Sequence, residues 1–184
     1  MRRDLSFLRQ RRVARLSTTQ WVIQTAVVLG LVTGLASPSA AHPLQFSYVD
    51  VSPAIDRTDV VVTVHAFDAS HDLDLGSETD VFDPDFVAVH GARLAAMIVS
   101  RLTILADGLT AREQLDDVEV IPDQAAVVLR FRYQPVVRAG EVRIAGWLFP
   151  YDPLHQTFIK VFERGAVVYQ DILSSGRTAT TYVP

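Results

Sequence analysis

Gly146-Trp147-Leu148-Phe149-Pro150-Tyr151-Asp152-Pro153-Leu154-His155-Gln156-Thr157-Phe158-Ile159 is the stretch whose reading decides the fold. It sets large aromatics, two prolines and a histidine between two runs of alternating apolar and polar residues, Glu141 to Phe149 and Thr157 to Glu163. A period of two marks half-buried strands, and prolines between them mark a corner where the chain leaves one strand for the next. Trp147 and Phe149, at a strand end, are expected in the core. Tyr151 and His155 are expected at the surface.

Outward from this corner the same pattern repeats. On its C-terminal side Arg164-Gly165 turns the chain from Thr157–Glu163 into Ala166 to Leu173. On its N-terminal side lie Ala125 to Tyr133 and Asp117 to Ile121, separated by Pro122-Asp123, and before them a hairpin of Leu102 to Ala106 and Leu109 to Glu113. Its Asp107-Gly108 turn is the pair that two-residue hairpins favour, because both positions need positive φ. Near the start of the body, Leu44 to Val51 alternates and Asp59 to Phe67 is rich in β-branched residues, so the two should pair as an antiparallel hairpin. Asp68 to Pro84 reads as an acidic connector. Asp83-Pro84 then reads as a helix start. Phe86, Val89, Leu94, Met97 and Ile98 recur at helical spacing up to Leu102, with Arg93 and Arg101 outside. The expectation is a mainly β domain: an antiparallel β-sandwich of about eight strands with one helix packed on it.

The first 41 residues have a different character. Arg2, Arg3, Arg9, Arg11, Arg12 and Arg15 oppose a single acid, Asp4; Trp21 to Ala36 is apolar and uncharged; small residues follow from Ser37 to Ala41. That order is the order of a secretory signal, with the best cleavage site after Ala41 and small residues at Ser39 and Ala41. An uncleaved anchor is the alternative, since a spanning helix needs roughly 17–25 residues and the apolar run is only slightly shorter. In either case residues 42–184 form the extracytoplasmic body, in the periplasm or on the outer face of the cytoplasmic membrane.

Six of the 17 basic residues and one of the 21 acidic ones precede residue 42, so the body carries about −9 and has one lysine, Lys160. That balance excludes nucleic acid and anionic lipid as partners, which need basic patches. With no cysteine in the chain, thiol catalysis, thiolate metal sites and disulfides are excluded as well.

The sequence carries little recognisable chemistry. There is no phosphate loop, nucleophile elbow or His-Glu-x-x-His helix, and no serine stands out as a nucleophile. The chain is therefore expected not to be an enzyme. Histidines and carboxylates gather between residues 65 and 74, so His65, Asp68, His71 and Asp72 are candidate ligands for a divalent transition metal. A cleaved N-terminal His42 would add an imidazole and a free amine, a set suited to Ni(II) or Cu(II). The plainer reading places His65 on a strand face, Asp68 to Asp74 in a solvated loop and His155 as a turn cap. Tyr151, Asp152 and His155 are the candidate interaction residues.

Ala41-His42-Pro43-Leu44 with Ser47-Tyr48-Val49-Asp50-Val51, the Leu102 to Leu109 stretch, Leu148 to Phe158, Val161-Phe162-Glu163 and Gln170 to Leu173 together resemble the extracytoplasmic N-terminal domain of the HupE/UreJ-like membrane proteins. The likeness runs through most of residues 41–182. It implies a β-rich domain beside a multi-helix membrane domain in a system that moves nickel or cobalt. This chain stops at Tyr182-Val183-Pro184, where the family's membrane helices would begin, and lacks their histidines. The resemblance therefore implies an accessory domain that binds or presents a divalent metal to an integral-membrane partner or to a C-terminal membrane domain. The other reading is a structural or protein-interaction module with no metal role.

Overall fold

The computed structural model describes residues 46–54, 56–110, 112–134 and 140–184, all within the compact unit Pro43–Pro184. The signal segment and His42 lie outside the described residues.

The chain runs β1 (Phe46–Pro53), β2 (Thr58–His65), α1 (Ala66–Asp72), a 3-10 turn (Glu78–Phe82), α2 (Phe86–Arg101), β3 (Leu102–Ala106), β4 (Leu109–Thr110) and β5 (Arg112–Ile121), then β6 (Ala126–Gln134), β7 (Val142–Gly146), β8 (Gln156–Glu163), β9 (Ala166–Leu173) and β10 (Ala179–Tyr182). Among the described residues ten strands form two sheets. The larger has the order β5-β6-β2-β1-β8-β9 and the smaller β10-β7-β3-β4. The domain is mainly β and sandwich-like, as expected.

Alternation explains the layers. Along β2, Thr58, Val60, Val62 and Val64 are buried while their neighbours are half-buried, and β1 buries Ser47, Val49 and Val51 with Tyr48 exposed between them. The valines meet Leu129 and Phe131 of β6, Ile159 and Val161 of β8, Ile104 and Ile144 of the small sheet, and Phe86, Leu94 and Ile98 of α2 in one core. The two-residue turns follow the chemistry read for them. Asp107-Gly108 and Arg164-Gly165 all have positive φ, which matches hairpin twist.

Several expectations change. The β1–β8 pair is parallel, because the chain returns to β1 through the aromatic–proline segment after visiting the small sheet, and a crossover of that kind delivers a parallel strand. Leu109 to Glu113 is not one strand. β4 has two residues in the small sheet, and β5 starts at Arg112 and runs to Ile121 in the large one, with a bulge between Leu115 and Asp117. β10 adds a strand that the turn-rich tail hid.

The Asp59 to Phe67 strand ends at His65, whose Nδ1 accepts the Phe67 N–H at 3.2 Å and caps α1. Part of the acidic connector is therefore helix. α2 begins at Phe86, after Asp83 Oδ1 accepts the Asp85 N–H at 2.8 Å. Its buried stripe is Phe86, Gly91, Leu94, Ala95 and Ile98. Val89 is not in that stripe; it is 66% exposed.

α2 passes into β3 without a loop, so Arg101 and Leu102 press on β7. A Cβ on Gly146 would stand 2.4 Å from the Arg101 carbonyl oxygen. Glycine is required there for close backbone approach.

Candidate functional site

The aromatic–proline segment is a clasp. From β7 the chain enters two tight turns, with the Asp152 N–H on the Phe149 carbonyl and the His155 N–H on the Asp152 carbonyl, both at 3.1 Å. The Asp152 carboxylate accepts the Leu154 N–H at 2.9 Å. These turns aim Leu148, Phe149 and His155 inward and leave Leu154 exposed.

Three elements then grip the segment. Arg101 of α2 donates to the Leu148 carbonyl at 2.7 Å and to Asp72 of α1. Tyr151 donates its hydroxyl to Asp68 of α1. The Nε2 of His155 stands 3.1 Å from Ser47 Oγ of β1, and its Nδ1 stands 3.7 Å from the second oxygen of Asp68. At 3.7 Å the Nδ1–Asp68 approach is a contact and not a hydrogen bond, and both atoms are buried without a hydrogen-bond partner; the ring's tautomer sets which way the Ser47–His155 bond runs. Rings enclose the network: Phe149 lies edge-on to His155 with centroids 4.9 Å apart, and His71 stacks on Tyr151 at 3.6 Å with Phe67 beyond it.

Burial sets the electrostatics. Desolvation raises the Asp68 carboxyl to about 6 against the Tyr151 hydrogen bond that favours its charge, and Asp152 and Asp72 add repulsion. Desolvation also lowers the His155 imidazole to about 4, against the pull of Asp152 and Asp72. The same burial, with the bond to Asp68, raises the Tyr151 hydroxyl. Although His155 and Asp68 stand within ion-pair range, at neutral pH they are a neutral imidazole beside a carboxylate.

Ser47, His155 and Asp68 thus stand in the order of a Ser-His-Asp triad, with the serine–histidine hydrogen bond made and the histidine–aspartate one not. Their exposures are 0, 1 and 0%. Ser47 stands in the same inward register as Val49 and Val51, and that is the signal in the sequence that could have found it: a serine at an apolar position of an alternating strand.

The expected site residues separate. His155, expected at the surface, lies in the core, because its two turns fold the ring back onto β1. Trp147, expected inside, is half-buried, whereas Leu148 and Phe149 are fully buried. Tyr151 and Asp152 are half-buried. Of the metal candidates, His65 spends its Nδ1 on the α1 cap and Asp68 faces Tyr151. His71 is exposed with Nδ1 3.2 Å from Asp72, which also accepts from Arg101. Among the described residues no three His, Asp or Glu side chains come together as a metal site, and no helix is long and apolar enough to cross a membrane. No family model matches the chain, and no curated protein is significantly similar to it.

Proposed function

We propose that this chain is an exported, non-catalytic accessory domain serving an integral-membrane partner on the outer side of the cytoplasmic membrane. The observation that carries the reading is the burial of Ser47, His155 and Asp68. A hydrolase needs its nucleophile beside an open substrate site with oxyanion donors, and this serine is enclosed by the core it helps to build. The rings of Phe67, His71 and Tyr151 stack on one another, with Phe67 and His71 exposed, and Leu154 is exposed three residues along the chain from Tyr151. Aromatic and apolar side chains on a rigid base suit a docking face.

Two measurements test the proposal on the full chain. Hydrolysis of generic ester and peptide substrates should be no faster than with Ser47→Ala; turnover that disappears in Ser47→Ala while Ser175→Ala keeps it would make the chain an enzyme. A photo-crosslinker at Leu154, introduced in the producing cells, should capture a multi-helix membrane protein, and His71→Ala should weaken that capture. Unchanged capture would remove the ring stack from the docking face.

Metal presentation is the second reading, and it rests on His71, the exposed imidazole beside Asp72. Calorimetric titration with Ni(II), Co(II), Cu(II) and Zn(II) should then show micromolar binding that His71→Ala weakens tenfold or more. Equal binding by wild type and His71→Ala, or none, would remove it.

A further inference from the structure

Among the described residues the two sheets end in four strand edges, and three carry devices that stop further pairing. β4 has two residues and β10 four. β5 is long, but Arg112, Glu113, Asp116, Asp117 and Glu119 stand along it and a bulge interrupts it at Leu115. Short edges, charges and bulges are the known protections against edge-to-edge association.

β9 has a bulge as well, at Val168, but neither short length nor an unpaired charge guards it. Its eight residues, Ala166-Val-Val-Tyr-Gln-Asp-Ile-Leu173, bond to β8 on one side and hold no proline and no lysine. Its single charge, Asp171, accepts from Tyr169, Thr180 and Arg177 within the chain and is neutralised there. Val167, Val168 and Ile172 are 42, 45 and 41% exposed, the two valines side by side at a bulge opposite Val161 and Phe162. An apolar edge with its one charge already satisfied is a template for another strand.

We propose that a second copy of this chain covers it, β9 pairing antiparallel with β9 about Gln170 and joining the two large sheets into one. The strand is complementary to itself in that register. Gln170 meets Gln170, Val168 meets Ile172 on either side, and Tyr169 meets Asp171. Residues directly opposite share a face, so apolar faces apolar, amide faces amide and no like charges meet. Centring on Tyr169 instead would set Val168 against Gln170 and Val167 against Asp171. The symmetric pairing is isologous and closes after two copies. Repulsion between two acidic bodies is screened beyond about 8 Å at physiological salt. The inference is independent of the accessory role.

The chain has no cysteine, so Gln170→Cys creates its single thiol, at the centre of the pairing. The full chain carrying Gln170→Cys, oxidised with copper phenanthroline at physiological salt, should run mostly as a disulfide dimer. Gln114→Cys, exposed on the guarded β5 edge, should stay monomeric. Adding Val168→Lys and Ile172→Lys should abolish the Gln170→Cys dimer with an unchanged far-ultraviolet circular dichroism spectrum. If the lysine pair fails to fold, the contrast between Gln170→Cys and Gln114→Cys still decides. A Gln170→Cys protein that stays monomeric while its thiol reacts with maleimide would overturn the proposal, as would equal dimer at Gln114→Cys. A disulfide to a different protein would assign the edge to a foreign strand instead.

Discussion

The inner face of the large sheet and the heart of the clasp at Ser47, Asp68 and His155 are both fully buried, yet they hold the domain by opposite means. On the sheet face, Val49, Val51, Val60, Val62 and Val64 are near-equivalent contributors to one apolar layer. Each adds area, and each can be replaced by something of similar volume at modest cost. In the clasp, Ser47, Asp68, Tyr151 and His155 each depend on one particular atom of one particular partner, and those partners lie 83 and 108 residues away in sequence. The first kind of interaction is redundant and the second directional. The domain uses the redundant kind to form its layers and the directional kind to fix where the crossover from the small sheet returns to the large one.

Removing one member of each kind should separate them most widely. Asp68→Ala takes the acceptor from the Tyr151 hydroxyl, and an unsatisfied buried group costs about 1–3 kcal/mol. With the cavity added, urea denaturation at pH 4, where Asp68 keeps its proton in the fold and no buried charge is penalised, should show a loss of about 4 kcal/mol. Val62→Ala, on the sheet face, removes two methyl groups and should cost about 2 kcal/mol by the same measurement. If the two losses were equal, the clasp would be ordinary packing.

The pH dependence of stability sharpens the contrast, because the clasp titrates and the valine layer does not. Asp68 in the folded protein holds its proton up to about 6, above its unfolded value. The native state therefore binds more protons than the unfolded state between about 4 and 6, and this group makes the protein less stable as pH rises through that window. His155 has the opposite sign. Its folded value of about 4 lies below its unfolded one, so the unfolded state binds more protons, and this group costs stability as pH falls from about 6.5 to 4. In the wild type the two slopes oppose each other.

Asp68→Asn keeps the shape and leaves the histidine slope uncovered. Relative to wild type, it should lose about 2–3 kcal/mol between pH 6.5 and 4. His155→Gln should gain relative to wild type over pH 6 to 4. Chemical denaturation at four pH values, read as differences from wild type, removes the contribution of the other carboxylates. Parallel curves for all three proteins would mean that neither group is perturbed.

The same contrast governs what was legible in the sequence. Period-two alternation reports which face of a strand is apolar, so β1, β2, β6 and β8 could be read directly, and Asp107-Gly108 announced its turn through residues that tolerate positive φ, whereas at Arg164-Gly165 only the glycine does. Partner choice has no such local trace. The parallel pairing of β1 with β8 depends on the route of the crossover, and α1 was hidden because His65-Ala66-Phe67 continues a β-like run until a side-chain cap ends it. The aromatic–proline segment stood out as a corner, and His155 as a group with a role. That its ring turns inward to a serine on β1 followed from two turns and a register set elsewhere. Ser47 was one serine among many until the fold brought it to His155.

The smallest expected effect tests the redundant side from the direction of gain. Gly91 sits inside α2 against β5, where a Cβ would meet Val87 Cγ1 at 3.5 Å and Val118 Cγ2 at 3.6 Å. Those are ordinary van der Waals distances, unlike the 2.4 Å that Gly146 would impose on the Arg101 carbonyl oxygen. Gly91 also lies in the right-handed helix that every residue adopts, so its backbone freedom serves nothing there. Gly91→Ala should therefore stabilise the domain by about 0.5–1 kcal/mol, the helix-interior difference between the two residues. That amounts to a rise of about 2–4 °C in Tm by calorimetry for a domain of this size. A fall in Tm would mean that α2 and β5 interlock too closely to take one methyl group, and the apolar layer would then share the intolerance that is here confined to the clasp.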